Sequence, residues 1–487
     1  MGRTTNPSPW ETLMIIRTAS PRTRRGIAVG AVILSLGGLT LSRAPATAGA
    51  GDDAGEARTT PAHGVRFAGP GASGSLALSH GQVLASGPQR VFAELRIEAD
   101  DDAADATARA PLAMVIALDT SGSMSGAKLA EARRSVARLL ERMDDDDEVA
   151  LVRYDTRASL VQPMARVGDV RPRLMRQVTE LRSDGGTNIP DALAVAMREM
   201  ESAGPGRVRR VVLVSDGLDG HREQSEGLAR RGHDGGGVTV SSLGIGLDFD
   251  EGYLSGLARA GRGNFGFVQN PATLTAFLRR ELDETAGTRI EGTTARLRLP
   301  AGVSFVRAVG ATSRRDDDEV TLRLGAMPAG AVRRVAIELR VDAARRATLD
   351  IDTEVRWRET GGRVFEQALS PLTLEATDDR AAMHASRDGA VYASCVSAVA
   401  SLQQLEANEA YRDGDASGAM KMLEETRAML AEAEREAPEG AAGRLGAQRR
   451  RYEAAADDFK GAPSPASRAA QKKLAEDDAA NLSRPSF

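Results

Sequence analysis

"MVIALDTSGSMSG", residues Met114–Gly126, is apolar for five residues and then breaks into an aspartate followed by three serines. With Leu112 and Ala113 in front of it, the run is short enough to be a strand buried on both faces. A strand of that kind belongs to a parallel sheet covered by helices, where both faces are dry and no polar alternation is needed. Asp119 therefore stands at the carboxyl end of a buried strand, a place that asks for a reason.

Outward from this strand the chain alternates between strand and helix. "AKLAEARRSVARLLERM" sets Leu129, Ala132, Val136, Leu139, Leu140 and Met143 on one helical face. "EVALVRY" and "ASLVQPM" read as strands, and "VRPRLMRQVTEL" and "IPDALAVAMREM" as helices. "RVRRVVLVSDG" and "GVTVSSLGIG" are buried strands, "EGYLSGLARAG" a helix, "GNFGFV" a last strand and "PATLTAFLRRELDE" a closing helix. Interleaving of this sort predicts an α/β fold, a Rossmann-like doubly wound and mostly parallel sheet over residues 112–286. From 287 to 377 the period changes to two, as in "TTARLRLPAGVSFVRAVG" and "ATLDIDTEVRWRE", which predicts a β-sandwich. Short β-rich pieces within 49–111, behind a small polar linker, could complete that sandwich, making the α/β unit an insertion between its strands. Residues 378–460 read as an α-helical hairpin or bundle and 461–487 as a disordered tail.

Three pieces of the α/β unit carry chemistry. Asp119, Ser121 and Ser123 follow the first strand, Thr187 lies in "DGGTN" before a helix, and Asp216 ends "VVLVSD". In a doubly wound sheet the loops at the carboxyl ends of the strands converge on one crevice, so two carboxylates and three hydroxyls are expected to meet. Such an all-oxygen set selects hard cations, Mg²⁺ or else Ca²⁺ or Mn²⁺, over zinc or copper. Two carboxylates only neutralise a divalent ion, which leaves room for an anionic oxygen from another molecule.

The region from Leu112 to about Ala286 resembles a von Willebrand factor type A domain. "DTSGS" matches the D-x-S-x-S element of its metal-ion-dependent adhesion site, "GGTNI" the threonine element and "SDG" the second aspartate element. The resemblance implies that Asp119, Ser121, Ser123, Thr187 and Asp216 form the metal set, with Ser121, Ser123 and usually Thr187 touching the ion and the aspartates acting through water. It also implies a protein partner that supplies an Asp or Glu carboxylate. The flanking sandwich and helical segment are similar in arrangement to bacterial exported proteins that carry this domain.

The N-terminus supports export. Basic "RTASPRTRR", apolar "GIAVGAVILSLGGLTL" and small-residue "RAPATAGA" follow the order of a signal peptide over residues 1–48. An uncleaved membrane anchor is the alternative, although the apolar run of 16 residues is short for a span. Loss of this leader removes six arginines and one glutamate and takes the formal net charge from −4 to −9. An acidic surface of that kind excludes sequence-blind nucleic-acid binding. The single cysteine, Cys395, cannot form an internal disulfide, and inside an apolar helix it reads as a small core residue.

Taken alone, the D-x-S-x-S element could be no more than a helix N-cap; Thr187 and Asp216 argue against that. "GSMSGAK" lacks the P-loop interval. His221 and His233, in "DGHREQSEGLARRGHDGGG", read as exposed loop residues, and "DDDDE" (Asp144–Glu148) as a solvated turn. The expectation is a non-enzymatic, divalent-cation-dependent adhesion or assembly protein, periplasmic or extracellular. The alternatives are a membrane-anchored cytoplasmic scaffold working with a separate ATPase, or a metal-dependent hydrolase.

Overall fold

A computed structural model of the chain describes residues 62–101, 111–216, 219–246, 249–268, 271–343, 347–360, 362–458 and 465–483. The expected signal peptide and the start of the linker lie outside them. The chain enters on four strands, β1 (Gly64–Gly69), β2 (Ala72–Leu78), β3 (Gln82–Leu84) and β4 (Gln89–Ala99).

The α/β unit follows. Strand β5 (Leu112–Asp119) is buried at all eight residues and pairs in parallel with β6 (Glu148–Tyr154) on one side. Between them runs α1 (Ala127–Arg142), whose Leu129, Ala132, Val136, Leu139 and Leu140 face the sheet. Strand β7 (Ala158–Arg166) is the antiparallel edge beside β6. Helices α2 (Val167–Glu180) and α3 (Ile189–Glu201) lead to β8 (Val208–Ser215), which pairs in parallel with the other side of β5. Then come α4 (Arg222–Gly236), β9 (Thr239–Ile245), α5 (Glu251–Ala260), β10 (Arg262–Val268) and α6 (Pro271–Ala286). The sheet order is β10-β9-β8-β5-β6-β7. Apart from β7 every strand is parallel, and helices cover both faces, in keeping with the α/β expectation.

Within the α/β unit one helix differs from the expectation. The polar, glycine-rich "REQSEGLARRGHDGG" is the helix α4, not a loop. Its neighbours β8 and β9 are parallel, and parallel neighbours need a crossover that passes over a face of the sheet. Ser225, Ala229 and His233, spaced four apart, are its buried stripe. His233 is thus 6 % exposed, not a loop residue. The acidic run is also more than a solvated turn. Asp147 is buried and accepts hydrogen bonds from the Leu112 N–H at 3.2 Å and the Asp144 N–H at 2.8 Å, which ties the entrance of β5 to the end of α1.

After α6 the chain returns to strands: β11 (Thr288–Arg298), β12 (Val303–Val309), β13 (Thr312–Asp316), β14 (Glu319–Pro328), β15 (Val332–Val341), β16 (Thr348–Glu359), β17 (Val364–Ala368) and β18 (Leu372–Thr377). One sheet has the order β1-β2-β4-β15-β12, the other β13-β14-β11-β16-β18-β3 with β17 beside β16. Phe67, Leu95, Ile97, Leu339, Val355 and Trp357 share the core between them. Strand β4 pairs with β15 over ten residues, from Gln89–Val341 to Glu98–Val332. The α/β unit is therefore inserted between β4 and β11, and strands from both sides of it close the sandwich.

The helices are α7 (Arg380–Ala385), α8 (Gly389–Arg412), α9 (Ala416–Glu436), α10 (Glu439–Asp458) and α11 (Pro465–Ser483). Asp388 caps α8, accepting from the Ala390 and Val391 N–H groups at 3.1 Å. Cys395, fully buried on α8, packs over β4 with its Sγ 3.7 Å from the Ala93 carbonyl. The expectation of a disordered tail from 461 is corrected, since Pro465–Ser483 is helical. Its composition is polar, but Lys472 is held by Glu251 at 2.7 Å and Asp478 by Tyr452 at 2.6 Å, so buried polar contacts supplement the short apolar set of Leu474, Ala475 and Leu482. Among the described residues no helix is long and apolar enough to cross a membrane.

Candidate metal centre

The carboxyl ends of β5 and β8 lie side by side because the two strands pair in register from Leu112–Val208 to Leu118–Val214. Asp119 and Asp216 emerge at these two ends. Asp119 is fully buried: its Oδ1 accepts from the Ser121 N–H at 2.8 Å and its Oδ2 from the Ser215 hydroxyl at 2.8 Å. Burial pushes its carboxyl above the usual range, the hydrogen bonds from Ser121 and Ser215 oppose that shift, and the neighbouring Asp216 adds to it.

From this floor the hydroxyls rise toward solvent. Ser121 is buried, and its Oγ is 2.9 Å from that of Ser123, which is exposed at the mouth. The Ser123 hydroxyl donates to Asp216 Oδ1 at 2.8 Å. A single 3-10 turn, Gly122–Met124, holds this spacing, with Met124 buried beneath it as an anchor. The other oxygen of Asp216 pairs with the Lys128 ammonium, which comes from the first turn of α1.

Four of the five expected residues thus form one hydrogen-bonded chain. Thr187, half-buried, belongs to a loop stitched to the first by backbone: the Gly122 N–H donates to Gly185 O at 3.0 Å and the Asp184 N–H to Thr120 O at 2.8 Å. Among the described residues its hydroxyl stands outside the chain and is placed by its loop. Gly185, at φ +72°, makes the turn that this stitching requires.

Two supporting residues escape the sequence reading. Asp219 accepts from the Ile189 N–H through Oδ2 and from the His221 N–H through Oδ1, both at 2.6 Å. It joins the loop after β8 to the start of α3, two residues beyond Thr187. Tyr154 is buried at the end of β6; its hydroxyl donates to Val214 O at 3.0 Å and its carbonyl accepts the Thr120 N–H at 2.7 Å. The loop residue Asp219 could have been noticed in "SDGLDG", whereas Tyr154 reads simply as a core aromatic.

The family model of the von Willebrand factor type A domain matches residues 113–280. The chain contains a von Willebrand factor type A domain. Curated relatives of this region include an uncharacterized protein of Synechocystis sp., 28 % identical over 41 % of this chain and 47 % of its own length. The bovine inter-alpha-trypsin inhibitor heavy chain H4 is 27 % identical over 24 % of this chain and 13 % of that protein. The chain therefore spans about half the length of the first of these relatives and a small part of the second. Among solved structures, a von Willebrand factor type A protein from Catenulispora acidiphila superposes at a TM-score of 0.62 with 19 % identity, covering 85 % of this chain and 98 % of that one. The ArnB paralog VWA2 from Sulfolobus acidocaldarius superposes at 0.55 with 14 % identity, covering 84 % and 98 %. At these identities the likeness is one of fold, and it extends beyond the type A domain to most of the chain.

Among the described residues no three His, Cys, Asp or Glu side chains gather as a metal cluster. The crevice of the type A domain offers a different donor set, two carboxylates with serine and threonine hydroxyls.

Proposed function

We propose that the type A domain binds a divalent cation, Mg²⁺ or else Mn²⁺ or Ca²⁺, through Asp119, Ser121, Ser123, Thr187 and Asp216, and uses it to hold an acidic side chain of a protein partner. Domains of this family commonly mediate adhesion or assembly, and the reading places this chain in that class, as a binding protein and not an enzyme. The observation that carries it is the graded crevice: two buried carboxylates at the floor and an exposed serine hydroxyl at the mouth, linked over 2.8–2.9 Å steps. Oxygen donors of this kind fit a hard cation. The raised carboxyl of Asp119 marks a place where a positive charge would be welcome. When bound, the ion would supply Lewis acidity toward an incoming carboxylate. Asp119 and Asp216 would balance its charge, and the 3-10 turn would keep Ser121 and Ser123 at ligand spacing.

Ser123 is hydrogen-bonded to Asp216 and Ser121 to Ser123, and not to a histidine base, which favours binding over turnover. The leader-like N-terminus supports an exported protein that acts in the cell envelope. The test is calorimetric titration of Mg²⁺, Mn²⁺ and Ca²⁺ into the wild type and Asp119→Asn, followed by partner capture from envelope extracts with Mg²⁺ or EDTA. Saturable cation binding weakened at least tenfold in Asp119→Asn, with EDTA-sensitive capture, is expected. Capture that survives both the substitution and EDTA rules out the metal bridge.

A further inference from the structure

A cavity of about 350 Å³ lies on the far edge of the type A domain, where α5 and β10 meet the β12–β13 turn of the sandwich and the helices α8 and α11. Arg230, Arg259 and Arg262 line it on one side, and Phe265, Leu402 and Leu482 supply an apolar lining. Glu226 and Glu406 also line it. Glu226 is already engaged, accepting from Arg222 Nε at 2.7 Å.

Arg262 is the unusual member. It is 9 % exposed and sits at φ +57°, a left-handed backbone that non-glycine residues seldom adopt. One Nη2–H donates to the Gly310 carbonyl, but the buried Nε has no hydrogen-bond partner. Among the described residues Arg262 forms no ion pair, and the charge that acts on it, Arg333, has the same sign, while His233, on which Arg262 acts in turn, is held neutral. A buried guanidinium without a counter-charge is costly unless something anionic joins it. Arg259 feels Glu226 and Glu406 but forms no ion pair with either among the described residues. Arg259 and Arg262 thus both line the cavity, and among the described residues neither has an ion-pair partner.

We propose that this cavity binds a small organic acid, a single carboxylate on an apolar body, with the carboxylate on Arg262 and Arg259 and the body against Phe265, Leu402 and Leu482. A carboxylate matches the planar fork of arginine in bidentate geometry. The two glutamates in the lining disfavour an anion of higher charge such as phosphate, and the leucines and phenylalanine favour an apolar body. At about 30 Å³ per water-sized group the space holds on the order of ten non-hydrogen atoms, within the usual range of ligand pockets. Because the lining comes from the type A domain, the sandwich and the helices together, the ligand would also tie these three parts to one another.

The experiment is calorimetric titration of octanoate, 1-octanol and sodium sulfate into the full chain, into Arg259→Gln and into Arg262→Gln. Octanoate is expected to bind the wild type saturably at one site, with no saturable binding of 1-octanol or sulfate. Arg259→Gln removes a side chain that forms no ion pair among the described residues, so it keeps the fold, and it is expected to weaken octanoate at least tenfold; a folded Arg262→Gln does the same. The proposal is overturned if the wild type does not bind octanoate saturably, if Arg259→Gln binds it as the wild type does, or if sulfate or 1-octanol binds as tightly as octanoate.

Discussion

Asp119 combines two roles that pull against each other: its carboxylate organises the loop after β5, and its burial raises the cost of keeping that carboxylate ionised. Asp119→Asn keeps the shape and removes the charge. Cation affinity is expected to fall by roughly 10- to 100-fold or more, the scale seen when support of a metal ligand is lost, while the melting temperature is held or raised because a disfavoured buried charge has gone. A melting temperature that collapses would mean that Asp119 is chiefly structural. Lys128 makes the complementary prediction. Its ammonium occupies one oxygen of Asp216, so a divalent ion has to share that carboxylate with a cation already present. Lys128→Met is expected to tighten Mg²⁺ or Mn²⁺ binding by about 2–3 kcal/mol, at least tenfold, from the repulsion of a unit and a double positive charge several ångströms apart at an effective dielectric of about 40. Unchanged or weaker affinity in a titration would show that Lys128 positions Asp216 and does not compete for it.

Helix α11 is an element held by polar contacts. Lys472 lies buried on α5, its Nζ 2.7 Å from Glu251 and 2.8 Å from the Phe249 carbonyl, with the Phe249 ring centroid at 3.9 Å. Lys472→Met leaves the Glu251 carboxylate without this partner and is expected to loosen α11 by about 3–5 kcal/mol, visible as faster hydrogen exchange confined to residues 465–483 and α5. At the other end of the helix, Asp478 accepts from Tyr452 at 2.6 Å and Ser401 at 2.9 Å, and burial raises its carboxyl to about 7. Between its ordinary value of 3.8 and about 7 the folded protein therefore holds a proton that the unfolded chain has released, so this group makes stability fall as pH rises through that window and level off above it. His80 and His233, held down to about 3, act with the opposite sign below pH 6.5, because there the unfolded chain binds the extra protons. Comparison with Asp478→Asn isolates the first effect. The variant is expected to be more stable than the wild type at pH 8 by on the order of 1–3 kcal/mol, and the gap should close toward pH 4. A gap independent of pH in denaturant titrations would refute the assignment.

At the scale of the whole molecule, the type A domain is an insertion in a sandwich whose strands come from both sides of it. Strand β4 lies between β2 and β15, so it is an interior strand whose removal opens a sheet edge and exposes Val335, Ile337 and Leu339. A chain that begins at Leu112 is expected to retain the type A sheet, whose strands pair only with one another and one face of which packs wholly within the domain, but to aggregate through the broken sandwich; a soluble monomer by light scattering would contradict this. The alternation of strand and helix, the period-two stretch after 287 and the D-x-S-x-S, threonine and aspartate elements were legible because local periodicity and side-chain chemistry carry them. Helix α4 and helix α11 were not, because α4 has no apolar stripe and that of α11 is only Leu474, Ala475 and Leu482 in a polar, alanine-rich sequence: the first is imposed by the parallel crossover from β8 to β9, the second is completed by buried polar contacts to residues more than 200 and 25 positions away. The same division holds at the crevice. Which oxygens could serve a cation follows from residue type and from their place at strand ends. That Asp119 and Asp216 meet was legible from the alternation that sets both at the carboxyl ends of parallel strands; that Lys128 takes one oxygen of Asp216, that Asp219 ties Thr187's loop to theirs, and that Arg262 is buried without a counter-charge are decided by tertiary structure, because each depends on how distant elements pack, which leaves no trace in local sequence.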